Sequence, residues 1–270
     1  EFLENIENIE ENFQLLQIKF EDTKIRDNKQ DLRLFLHFIS NICNNYFHGP
    51  TFFFKIEQTI RFFKDDIKKY YSNSEIFNIF KENKRIILFL INEKIITIDK
   101  SIAKTITCVE FSDKYYPQYF SPEIKPFANE KWFPKNKLIE ELPDNFNELR
   151  IKGENSSFIC KLIREDLVQD FISYYTKNCI SPNAKINPSI YETNSFLLEE
   201  YNEFIGLFRS KNDITLIEYA AFFGSIQIFN FLKNENAKLK PLLWFYVIHS
   251  RNAELIHLLE ELHVNPIMNG

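Results

Sequence analysis

His249, His257 and His263 form the nearest thing to a cluster of metal-capable side chains in the chain. A zinc site needs ligands that converge from a shared geometry. Spacings of 8 and 6 residues do not put the three on one helical face, so they read as surface or cap histidines. Asp65-Asp66 and Glu260-Glu261 are adjacent carboxylates. Neighbours on a helix point in different directions, which suits a solvated face better than acid–base work. Cys43 sits on the apolar side of a predicted helix, as a core residue rather than a nucleophile. Cys43, Cys108, Cys160 and Cys179 show no paired spacing, so neither a zinc site nor a disulfide framework is expected. They suit a reduced, cytoplasmic compartment. With 5 glycines the chain has no phosphate-cradling loop, no nucleophile elbow and no H-E-x-x-H motif. The expectation is a non-enzyme with no catalytic residues, no cofactor and no metal.

The elements that would carry these residues are helices. Scarce glycine disfavours turn-rich β architecture, and 44% hydrophobic against 26% charged residues is a globular balance. The 29 phenylalanines, like the many lysines, isoleucines and asparagines, use AT-rich codons, so part of this bias is genomic. A net charge of −5 without blocks of like charge gives phosphate-backbone binding little support, so nucleic acid is not expected as a partner. The acidic N-terminus is not a secretory signal. A start at Glu1 and an end at NPIMNG suggest a piece of a longer protein.

Phe2, Ile6, Ile9, Phe13, Leu16 and Phe20 repeat at alternating spacings of 4 and 3. That seam predicts one helix, either self-associating as a coiled coil or, as the broader stripe with Leu3, Leu15 and Ile18 favours, packed inside its own domain. A second helix is predicted over Asp31 to Phe47, stopped at Gly49-Pro50, and a third from Thr51 to Tyr70. Ser74 to Ile98 reads as two more helices broken near Asn83. Between Phe111 and Phe133 the run SDKYYPQYFSPEIKPFANEKWFP has no period and reads as an irregular connector whose aromatics pack back on the bundle. A helical turn or two follows before Gly153 and a polar boundary, where Asn155 completes an N-x-S sequon.

The stretch Ile214 to Leu232 is long enough to span a membrane, but it holds Glu218, Ser225, Gln227 and Asn230. A carboxylate in lipid is costly, so no membrane span is predicted. Gly224 divides the run instead. Ile217, Ala220, Ala221 and Gly224 line one narrow face, and Ile228, Phe229, Phe231 and Leu232 begin another. Asn236 is suited to a left-handed helix end. The block LWFYVIHSRNAELIHLLEELHVNP repeats the plan 27 residues later, with Tyr246 under Tyr219 and Leu258-Leu259 under Phe231-Leu232. SFICKLIREDLVQDFISYYTKNCISPN reads as another helix pair turning near Glu165-Asp166.

On these residues the C-terminal half resembles degenerate ankyrin repeats. Ala220-Ala221 match the first-helix alanine pair, Gly224 the inter-helix glycine, and Asn236-Ala237 the closing Gly-Ala. The departures are a short offset with no room for a β-finger around Lys240-Pro241, Thr215-Leu216-Ile217-Glu218 at the opening, and Arg251 in place of the second glycine. The whole chain resembles the large ankyrin-repeat families of trichomonad protists, whose repeats follow an N-terminal helical region of unknown function. The resulting expectation is all-α. It has an N-terminal helical domain over 1–150 and a solenoid of ankyrin-like pairs over 151–270 that continues beyond the chain end. Such a scaffold binds a protein partner, without catalysis, and repeat position nominates Glu218, Phe222, Phe223, Phe245, His249 and Arg251. The alternative is a regulatory or targeting region of a larger effector or enzyme.

Overall fold

A computed structural model of the 270-residue chain describes residues 9–45, 51–107, 115–134, 138–139, 141–198, 201–202, 207–208 and 214–266. The fold is all-α, apart from one antiparallel pair of two-residue strands, Tyr201–Asn202 and Leu207–Phe208. The backbone divides into two compact units, one of residues 1–153 with 193–195, the other of 154–192 with 196–270.

The first unit holds α1 (Ile9–Thr23), α2 (Lys29–Asn45), α3 (Phe52–Phe62), α4 (Lys64–Tyr70), α5 (Asn73–Phe80), α6 (Lys84–Asn92), α7 (Lys100–Thr107), α8 (Tyr116–Tyr119), α9 (Ser121–Ile124) and α10 (Phe146–Lys152). Phe2, Leu3, Ile6 and the Gly49-Pro50 stop lie outside the described residues. Within α1 the seam face turns inward: Phe20 is buried, edge-on to Phe35 at 5.1 Å and Phe63 at 5.0 Å, while Leu15 and Ile18 stay exposed. The single helix predicted from Thr51 is two. Phe63 leaves helical geometry at φ −94°, ψ 8°, which ends α3 and lets its fully buried ring meet Phe20 and Phe35.

Local capping places the next two helices. Ser72 and Glu75 form a reciprocal capping box at the start of α5. Asn83 caps α6 by accepting from the Ile86 N–H at 3.1 Å, and its Nδ2 donates to the Cys43 carbonyl at 3.2 Å, tying α6 to α2. The proline-aromatic run is more regular than an irregular connector. Pro117, Pro122 and Pro126 each open a short helical turn, where a missing N–H costs nothing. Tyr116, Tyr119, Phe120 and Phe133 go into the core. Arg150, buried on α10, donates to both Glu123 oxygens at 2.9 and 2.8 Å and to the Tyr119 carbonyl at 3.0 Å, and the Tyr119 hydroxyl returns a bond to the Arg150 carbonyl. Asp66, read as solvated, instead accepts from Arg26 at 2.7 Å.

The second unit holds α11 (Phe158–Arg164), α12 (Val168–Lys177), α13 (Ser195–Leu198), α14 (Leu216–Phe223), α15 (Ile226–Asn234), α16 (Leu243–Ser250) and α17 (Ala253–Glu261). α14 packs against both α11 and α16, and α15 against α12. Among the described residues no helix is long and apolar enough to cross a membrane. The apolar run Ile214 to Leu232 is broken at Gly224.

Cys43 and Cys160 are buried, whereas Cys179 is exposed. Burial pushes the Cys160 thiol up to about 11 and the Cys43 thiol higher still. Iodoacetamide should therefore modify Cys179 in the native protein and reach Cys43 and Cys160 only after denaturation, as read by peptide mass mapping. Rapid native labelling of either buried thiol would contradict this packing.

Candidate protein-binding surface

Helices α14 and α15 map onto α16 and α17 by one shift of 27 residues, 216 to 243 and 226 to 253, with no slip between them. Leu216, Tyr219, Ala220, Ile228 and Leu232 are buried, and so are their counterparts Leu243, Tyr246, Val247, Leu255 and Leu259. The turns repeat as well. The first helix of each pair is followed by a left-handed residue: Asp166 at φ 48°, Gly224 at 72° and Arg251 at 56°. The second helices are followed by Cys179 at 48°, Asn236 at 64° and His263 at 51°. Past each of these, the N–H of Ile180, Ala237 or Val264 bonds the carbonyl five residues back, at 3.0–3.1 Å. This closure is what a left-handed residue permits at a helix end. Arg251 thus keeps the backbone of the glycine it replaces. No β-finger intervenes between α15 and α16, which Glu235 to Leu242 connect without a strand.

Polar bonds cross from pair to pair at these turns. The Asp166 carboxylate accepts from the Gln227 and Ile228 N–H groups at 3.0 Å each, so the first pair caps a helix of the second. Ser225 Oγ donates to the Ile163 carbonyl at 2.5 Å. At the equivalent place one shift on, Asn252 Nδ2 donates to the Gly224 carbonyl at 3.0 Å, while its Oδ1 caps α17. At the other end of the pairs, Ile186 and Leu216 donate to the Ile214 and Ala184 carbonyls, and Lys238 donates to Asn183 Oδ1.

Between α11 and α14 lies a buried polar group. Arg164 pairs with Glu154 at 3.1 Å and donates to the Asn155 carbonyl at 2.8 Å and the Tyr219 hydroxyl at 2.9 Å. Burial holds the Tyr219 phenol well above its ordinary range. With the Cys160 thiol also raised, phenol and thiol both stay protonated at neutral pH, which suits structure and not nucleophilic chemistry. Asn155, noted above only for its sequon, is buried. Its N–H donates to Glu192 and its Nδ2 to the Asn187 carbonyl, while its Oδ1 accepts from Ser157.

The six nominated residues divide. Glu218 is 1% exposed and belongs to a capping box: its Oε2 accepts from the Thr215 N–H at 2.8 Å, and the Thr215 hydroxyl receives the Glu218 N–H. Phe222 is 3% exposed, stacked on His249 with centroids 4.5 Å apart. Both therefore serve the fold, and nomination by repeat position fails for them because their faces meet neighbouring elements. Phe223, Phe245 and His249 are half-buried, and Arg251 is exposed. The structure gathers Phe222, Phe223, Phe245 and His249 into one aromatic cluster over α14 and α16. It adds Phe196 of α13, 4.2 Å from His249 and 5.2 Å from Phe245. Phe196 was not nominated, since nothing local marks a residue that acts across some 50 positions. Comparison with protein-family models, with curated proteins and with solved structures gives no match to this chain. Among the described residues, no group of three or more histidines, cysteines or carboxylates is placed to hold a metal ion. The arrangement offers apolar and aromatic contact with a charged rim at Arg251.

Substitutions at the turns should act in opposite directions. Gly224→Ala places a Cβ on a left-handed backbone, 3.4 Å from Asn252 Nδ2, and should cost about 1–2 kcal/mol. Arg251→Gly relieves the same strain and should gain roughly 1 kcal/mol. Asn252→Ala, which loses a cap and a bond between pairs, should cost about 1–2 kcal/mol. Urea melts measure all three, and a stabilising Gly224→Ala would refute the turn geometry.

Proposed function

We propose that residues 154–270 are a short solenoid of degenerate ankyrin-like helix pairs, and that the chain acts as a non-catalytic scaffold for protein–protein interaction. The observation that carries this reading is the 27-residue translation, kept in both helices, in the left-handed turns and in the bonds between pairs. Stacked pairs of this kind contact only their neighbours and leave a continuous face of first helices for a partner. On that face the partner meets Phe223, Phe245, His249 and Arg251. An aromatic cluster beside an arginine is the composition of an interface centre and not of a solvated surface. The free thiols of Cys43, Cys160 and Cys179 support a reducing, cytoplasmic setting. The N-terminal helical unit carries no activity in this reading.

Affinity capture with the full chain tests the proposal. Wild type should retain a defined set of proteins that the Phe245→Ala/Arg251→Glu variant loses. The variant should melt within about 4 °C of wild type, the shift that roughly 1 kcal/mol gives at this size. An unchanged set of captured proteins would remove this face from the proposal.

A further inference from the structure

Phe196 stands outside the repeating plan. It comes from α13, in the stretch between the first and second pairs, and the Glu235 to Leu242 connector between the second and third pairs has no counterpart to it. Its ring lies across two equivalent positions, Phe222 at 6.5 Å and, 27 residues on, His249 at 4.2 Å. Phe245 flanks it at 5.2 Å, and Leu197 packs beside it on the same core. Phe222 is a core residue, but Phe196 and Leu197 are only half-buried and sit on the rim. A ring straddling successive first helices occupies the place where a partner on that face would put its anchor.

We propose that Phe196 and Leu197 fill the partner site in cis, and that the partner is a protein segment with an aromatic residue followed by an aliphatic one on a short helical turn. This rests on the scaffold reading, whose face it uses. Aromatic anchors entering pockets from one side of a helical turn are a recurring mode of peptide recognition. The tether raises the local concentration of the built-in segment to roughly millimolar, so a partner must outbid it and the free site is masked until it does. Half-burial of the ring makes that exchange feasible, because a partner that covers more of the face gains contacts the short α13 turn cannot supply.

The probe is an acetylated, amidated peptide of residues 193–200, TNSFLLEE, titrated into the full chain and followed by NMR. The Phe196→Ala/Leu197→Ala variant should bind it at least about tenfold more tightly than wild type, where the tethered copy competes. A peptide with its phenylalanine replaced by alanine should not bind, and adding His249→Ala to the variant should abolish binding. Equal affinity for variant and wild type would overturn the proposal, as would retained binding by the alanine peptide. So would a variant that loses its cooperative thermal transition, because Phe196 would then be a core residue. Failure here, with proteins still captured by wild type and lost by the Phe245→Ala/Arg251→Glu variant, leaves the scaffold standing without the built-in segment. Peptide binding without any captured protein does the reverse.

Discussion

A residue held left-handed at the end of a helix is the constraint on which the second unit depends. At Gly224 the backbone reverses within a single residue, and this alone lets Leu216–Phe223 and Ile226–Asn234 share one core. The same reversal leaves the Gly224 carbonyl outside its own helix, where Asn252 of the next pair meets it. One conformational choice therefore closes a pair and supplies the bond to its successor. The fully buried Ala220 and Ala221 add the other requirement, a helix surface low enough for its neighbours to come close.

Where the pairs do not repeat, buried polar groups take over. Arg164 is surrounded by an ion pair, a backbone carbonyl and a phenol, so its charge is compensated on every side that the fold closes. Arg150 in the first unit has the same character, with a carboxylate, an amide oxygen and a carbonyl within 3.0 Å. Each joins elements that apolar contact alone would leave free to slide, since hydrogen bonds have direction and methyl groups do not. The units thus combine forgiving apolar cores with a few demanding polar joints.

Much of this was legible in the residues. Gly224 as a break, Asn83 as a helix start, and the 27-residue correspondence of Tyr219 with Tyr246 all follow from local periodicity and backbone preference. Thr215-x-x-Glu218 is itself a capping signature, so the burial of Glu218 was readable even though repeat position nominated it for a surface. Other features were not readable, because they join residues far apart in the chain. No local pattern marks Asp166 as the cap of a helix some 60 residues on, or Phe196 as a neighbour of His249. The break at Phe63 was hidden for a different reason: an unbroken apolar stripe fits one helix as well as two, and only the pull of Phe20 and Phe35 decides.

The bonds between pairs also differ in the length of chain they enclose. Asn252 reaches Gly224 over 28 residues, whereas Gln227 and Ile228 reach Asp166 over about 60. Doubling a loop adds only about 0.6 kcal/mol to its closure entropy, so the stretch between the first two pairs is thermodynamically cheap. Its larger effect is on timing, because contacts close in sequence form sooner. Assembly of this unit then begins with its two C-terminal pairs and proceeds backwards, the first pair arriving last. Asp166 delivers the final cap to a helix that has already formed, which makes the first pair a latch on a completed core and not its seed.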